Sequence, residues 1–183
     1  MAKALKGMPK NPAVLASDRL VAAFNEQVGH EMAASLQYTS IAAYFDSENL
    51  PQLAGFFHRQ ATEERDHALR FVKFIVDVGG RVRIPNVPAP KWDYGSALEA
   101  AKLSLTWERK VTDQIYGLVD VAQADKNYIA LRFLDWFVNE QLEEITVMDQ
   151  LVALIERAGA NLLLVEDHLS RNSLVESEGE AEG

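Results

Sequence analysis

A chain of 183 residues, 48% of them hydrophobic, fits one domain with a full core. The absence of cysteine excludes disulfides and thiolate metal sites and makes the cytoplasm the expected home. A net charge of −9 argues against nucleic acid and suits cations, and no apolar run approaches the ~20 residues of a membrane helix.

Residues 1–16 read as an N-terminal extension. They carry Lys3, Lys6 and Lys10 but no apolar run, so no secretory signal is expected. A first helix is expected from about Ser17 to Phe45, with Leu20, Phe24, Val28, Leu36 and Ile41 at spacings of three and four. Ser17 or Asp18 can cap it by accepting from the free amides of the first turn. A second helix runs from about Leu50 to Val78 and stops at Gly79-Gly80, which offers a left-handed cap. The third spans about Ser96 to Ala124 and the fourth about Asn127 to Arg157, ending before Gly159. A short fifth helix, Leu162 to Ser170, closes a helical unit of residues 17–170. Residues 171–183, acidic from Glu176 onward, read as a flexible tail.

The connections set the topology. Asp46 to Asn49 and Asp125 to Asn127 are short polar turns, so helices one and two, and three and four, form antiparallel hairpins. Gly80 to Gly95 contains Pro85, Pro88 and Pro90, which block helix. At roughly 3.3 Å per residue this stretch covers about 50 Å, against about 42 Å for a helix of about 28 residues. The expected fold is therefore an all-α four-helix bundle with one long crossover between parallel helices two and three, and a short fifth C-terminal helix.

Glu64 and His67, three apart, share one face of the second helix and can supply a carboxylate and an imidazole to one metal. Glu31 precedes Glu64 by the same interval that separates Glu108 from Gln141, and Glu144 follows Gln141 by three. The set Glu31, Glu64, His67 thus maps onto Glu108, Gln141, Glu144 with a constant offset, and Glu63 maps onto Glu140. Each member lies equally far from its hairpin turn, about 24 Å along the helix, which is mid-bundle. Ionised carboxylates gathered there would be costly and mutually repulsive, and a pair of cations relieves both problems. Leu36, Ala68, Phe71, Ile115, Phe137 and Met148 lie at helical spacings from these residues and favour inward placement. The mostly hard donor set fits iron or manganese better than copper(I) or structural zinc. Glu31, Glu64 and His67 make a richer site and Glu108 with Glu144 an all-carboxylate one, bridged by Glu64; Gln141 is a weaker ligand or a hydrogen-bond partner. His30, His58 and His168 have no comparable partners and read as surface or packing residues.

Asn25-Glu-Gln, Glu63-Glu-x-x-His67 and Trp136-Phe-Val-Asn-Glu-Gln-Leu-Glu-Glu144 resemble the non-haem bacterial ferritins, and the likeness runs from about Leu20 to Leu169. The resemblance implies a ferritin-like bundle that stores iron in a shell of 24 subunits, the short fifth helix contributing to its four-fold axis. It implies a ferroxidase centre, with oxygen or hydrogen peroxide as oxidant. Glu31, Glu64 and His67 would hold one iron and Glu64, Glu108 and Glu144 the other, with Gln141 nearby. Glu63, Glu140 and Glu143 would match an additional iron position. Tyr38 and Trp136 match aromatic residues beside the site, which can donate an electron or simply pack. Arg65 stands where bacterioferritins carry a haem-ligating Met, and Glu144 where they carry a second His, so no haem is expected. Leu131 and Leu134 match the acidic channel positions of animal ferritins, which leaves the route of iron open, with Asp135 or Asp120 as substitutes. The alternative is a soluble di-iron oxidase or oxygenase without storage; no Cys pairs of an electron-transfer partner are present.

Overall fold

The computed structural model describes residues 14–172 and 174. Most of the expected N-terminal extension and acidic tail therefore lies outside the described residues. The helices are α1 (Asp18–Ser47), α2 (Pro51–Asp77), α3 (Ala97–Ala124), α4 (Tyr128–Ala158) and α5 (Leu163–Arg171), within two residues of the expected limits.

Local chemistry sets these limits. The side chain of Ser17 accepts from the Leu20 amide at 3.0 Å, that of Ser96 from Glu99 at 3.1 Å, and that of Asn127 from Ala130 at 3.0 Å. At the end of α2, Gly79 adopts φ 77° while the Gly80 amide donates to Ile75 O and that of Gly79 to Val76 O. This is the paired closure that satisfies the last carbonyls of a helix. The same closure ends α1, with Asn49 at φ 59°, and α3, with Lys126 at φ 51°. Asn49 and Lys126 are separated by the same interval as Glu31 and Glu108, so the internal repeat extends to the backbone of both turns.

Contacts along the helices confirm the topology. His67, Phe71 and Phe74 of α2 meet Phe137 and Phe133 of α4 in reverse order, and Ser17 and Tyr38 of α1 reach Asp125 and Glu108 at the opposite ends of that sequence interval. Helix α1 is thus antiparallel to α3 as well as to α2, and α2 and α3 are parallel. The crossover climbs beside α1, held by two side-chain amides. Asn25 donates to Arg81 O and accepts from the Arg83 amide; Gln37 donates to Lys91 O at 3.0 Å and accepts from the Lys91 amide at 2.9 Å. These four bonds satisfy an extended backbone that has no sheet to join. Between them the chain packs so closely that a Cβ at Gly29 would overlap the Pro85 ring.

The core falls into two apolar clusters. One gathers Ile41, Phe45, Phe56, Phe57, Leu151 and Val165 near the α1–α2 turn and α5. The other gathers Phe24, Phe71, Ile75, Ile115 and Phe137 toward the α3–α4 turn. Leu36 does not join either; it is 44% exposed, contrary to the inward placement expected for it. Leu134 is fully buried in the second cluster, and Leu131 packs partly against it. No helix among the described residues is long and apolar enough to cross a membrane.

Candidate metal centre

Between the two clusters the core turns polar. Glu31 of α1, Glu64 and His67 of α2, Glu108 of α3, and Gln141 and Glu144 of α4 are all buried. Glu63 and Glu140 are partly buried beside them, and Glu143 is on the exposed side of α4. The helices bring these side chains together because each lies at the same height in its hairpin.

One oxygen or ring nitrogen each from Glu31, Glu64 and His67 lie within 4.8 Å of one another, and so do those from His67, Glu140 and Glu144. His67 stands between the two groups, with Nδ1 3.5 Å from Glu64 Oε2 and Nε2 3.5 Å from Glu140 Oε1. Trp136 and Phe137 meet its ring edge-on at 5.4 and 5.9 Å, and the Arg70 guanidinium lies 3.8 Å over Trp136. Glu108 is held differently. The Tyr38 hydroxyl donates to its Oε1, and the Gln141 amide lies 3.3 Å from its Oε2 and 3.2 Å from the Thr112 hydroxyl. Glu31 Oε1 accepts from Gln27 at 2.9 Å. Glu63 accepts from Gln60 at 2.5 Å.

Burial pushes the Glu31, Glu64 and Glu144 carboxyls up, and the charge of Glu108 adds to the rise at Glu64 and Glu144. Glu108 is pushed up to about 7 by burial, against the bonds from Tyr38 and Gln141 that favour its anion. Burial would lower His67, but its contacts with Glu140 and Glu64 and the charge of Glu31 outweigh it and hold the imidazole well above its ordinary value. Burial and Glu108 also hold the Tyr38 phenol well above its usual range. Glu31 Oε2, Glu64 Oε2 and Glu144 Oε2 are buried without a hydrogen-bond partner. Acceptor oxygens gathered in this way, with a shared imidazole, suit divalent or trivalent cations of hard character.

The ferritin-like domain family matches residues 21–158. The chain belongs to the ferritins. It is 43% identical over 150 residues to Ferritin BfrB of Mycobacterium tuberculosis, covering 82% of this chain and 83% of that one. It is 39% identical over 143 residues to the bacterial non-heme ferritin of Staphylococcus aureus, covering 78% of this chain and 86% of that one. Among solved structures, the open pore ferritin of the archaeon Archaeoglobus fulgidus superposes with a TM-score of 0.84 at 31% identity, over 87% of this chain and 99% of that one.

Two features of this ferritin's centre were not readable from ligand spacing. Gln27 grips Glu31, and His30, set aside above as a packing residue, has Nδ1 3.3 Å from Gln27 Oε1. Both precede Glu31 on α1 by one turn or less, a helical neighbourhood that marks them once Glu31 is taken as a ligand. His58 pairs only with the exposed Asp46.

Proposed function

We propose that this ferritin oxidises Fe(II) at an intra-subunit di-iron centre of the bacterial non-haem type and deposits Fe(III) mineral inside a shell of 24 copies in the cytoplasm. Glu31, Glu64 and His67 hold one iron and Glu64, Glu108 and Glu144 the other. Gln141 supports Glu108, and Glu63, Glu140 and Glu143 form a third position toward which Fe(III) leaves. The observation that carries this reading is the set of buried acceptor oxygens without partners that face one another across the bundle. Iron is the substrate. Two Fe(II) each give one electron to oxygen, which with two protons yields hydrogen peroxide; peroxide accepts electrons in the same way. The anionic oxygens would stabilise Fe(III) over Fe(II), and the Glu64 carboxylate common to both sets would hold the two ions on one template. Tyr38 holds Glu108 through its hydroxyl. The helical unit 17–170 carries the centre, and no haem takes part.

The test is aerobic addition of several hundred Fe(II) per assembly, followed by gel filtration with iron and protein assayed together. Iron co-eluting with a shell-sized species, and its slow oxidation by Glu64→Ala, support storage. Oxidation with only about two irons retained per chain on a small oligomer rejects storage in favour of a di-iron oxidase.

A further inference from the structure

One turn before Glu31 on α1 lies Gln27, only 2% exposed. Its Nε2 donates to Glu31 Oε1 at 2.9 Å. An ionised carboxylate only accepts, so the amide NH₂ of Gln27 faces Glu31 and its oxygen faces the other way. There it meets His30 Nδ1 at 3.3 Å. An amide oxygen supplies no proton, so Nδ1 carries one. The polarity is fixed from end to end: His30 donates to Gln27, and Gln27 donates to Glu31.

The other side of the imidazole faces a cavity. His30 lines a surface cavity of about 270 Å³ with Pro85, Trp107, Lys110 and Gln114. Its neighbour Gly29 brings the crossover against α1 without a side chain between them. The remaining oxygen of Glu31, Oε2, is buried and has no hydrogen-bond partner.

We propose that His30 and Gln27 are positioning residues for the iron centre: His30 fixes the amide of Gln27, Gln27 occupies Glu31 Oε1, and Oε2 is thereby reserved for the incoming ion. Without His30 the amide oxygen of Gln27 loses its donor, and the side chain is held at one end only, which loosens its grip on Glu31 Oε1. Partners of this kind, one bond beyond a ligand, govern metal affinity in many sites. The inference rests on the di-iron reading of the centre.

The experiment uses the full-length assembled protein with His30→Leu, His30→Gln, Gln27→Leu and the double Gln27→Leu/His30→Leu, each checked by gel filtration. Anaerobic Co(II) titration followed by visible absorption reads binding without turnover, and the Fe(II) dependence of initial oxidation reads function. Gln27→Leu and His30→Leu should each weaken Co(II) binding about tenfold and raise the half-saturating Fe(II) more than they lower the maximal rate. His30→Gln retains a donor and should recover most of the affinity. In the Gln27→Leu background, His30→Leu should add nothing. A packing role predicts no such recovery, because leucine and glutamine are of similar size and the cavity wall mixes Pro85 and Trp107 with Lys110 and Gln114. Wild-type affinity in His30→Leu, equal loss in the leucine and glutamine variants, or additive losses in the double variant would overturn the proposal. If His30→Leu does not assemble, Gln27→Leu alone decides, and unchanged Co(II) binding there also overturns it. Wild-type protein that neither binds Co(II) nor oxidises Fe(II) overturns the di-iron reading as well.

Discussion

Glu108→Gln tests the electrostatic account of the centre most directly. Glu108 is wholly buried, and burial pushes its carboxyl up from 4.5 to about 7. A carboxyl whose pKa is higher folded than unfolded binds more protons in the folded state between the two values, so iron-free stability falls as pH rises through that window. By pH 8 the loss is complete and amounts to about 3 kcal/mol. Glutamine keeps the shape and removes the charge, but it weakens the bond from Tyr38 and sets two NH₂ groups face to face at Gln141, at a cost of about 1 kcal/mol. The iron-free variant should therefore be more stable than the wild type at pH 8 by about 2 kcal/mol, or roughly 4–8 °C in Tm. Near pH 5 the advantage should vanish, because the wild-type loss has shrunk to about 1 kcal/mol and the weakened bonds of the variant offset it. The assay is differential scanning calorimetry of chelator-treated protein at pH 5.5 and 8, paired with Fe(II) oxidation, which the variant should lose. A wild-type Tm that rises with pH in parallel with the variant would refute the argument. His67 does not confound the sign: its raised pKa stabilises the fold at low pH and is lost as pH rises, in the same direction.

Three further outcomes follow from packing and capping. Gly29→Ala forces a methyl group into Pro85; overpacking of about 1–3 kcal/mol outweighs a helix-propensity gain of about 1 kcal/mol, so calorimetry should show a lower Tm. Gly117→Ala on α3 meets nothing within 4 Å and should instead stabilise by about 0.5–1 kcal/mol in the same measurement. Helix α2 has no cap from its own N-terminal side chain; Glu166 of α5 accepts from the Gln52 amide at 2.8 Å and the Leu53 amide at 2.9 Å. Glu166→Ala should cost about 1 kcal/mol and speed hydrogen exchange in α5 with little change at the centre.

The bundle was legible because its signals are redundant: apolar spacing, a Gly pair at a helix end and a proline-rich crossover long enough to span a helix all agree. That Glu31, Glu64, His67, Glu108, Gln141 and Glu144 meet in mid-bundle was legible because a repeated spacing can be checked against turn positions. Leu36 was misread for a geometric reason. It lies five residues beyond Glu31, about 140° round the helix, and so faces outward although the residue is apolar. Lys126 at positive φ could not be read from residue type, since lysine carries no preference for that conformation, but the offset from Asn49 points to it. The burial of Asn25, Gln27 and Gln37 was not legible, although Asn25 and Gln27 stand in a stretch that carries the family resemblance, because glutamine and asparagine most often lie at the surface. Their partners are backbone groups of the crossover and a carboxylate, and only the fold brings these within reach.

The donors that hold Glu31 and Glu108 are neutral, and this has an electrostatic consequence. Glu31 is gripped by an amide and Glu108 by a phenol and a second amide, while Glu64 and Glu144 each keep a buried oxygen with no donor. A lysine or arginine at Gln27, Tyr38 or Gln141 would hold the same oxygens more strongly, but it would also cancel the charge that attracts a cation. Neutral donors fix geometry and leave the charge in place. In the proposed reading, four buried carboxylates then match the four positive charges of an Fe(II) pair. Oxidation adds two more positive charges, which those four do not balance. The nearest surplus acids are Glu63 and Glu140, both partly buried, with Glu140 Oε1 3.5 Å from His67 Nε2. In that reading oxidation shifts the electrostatic balance from the four central carboxylates toward Glu63 and Glu140.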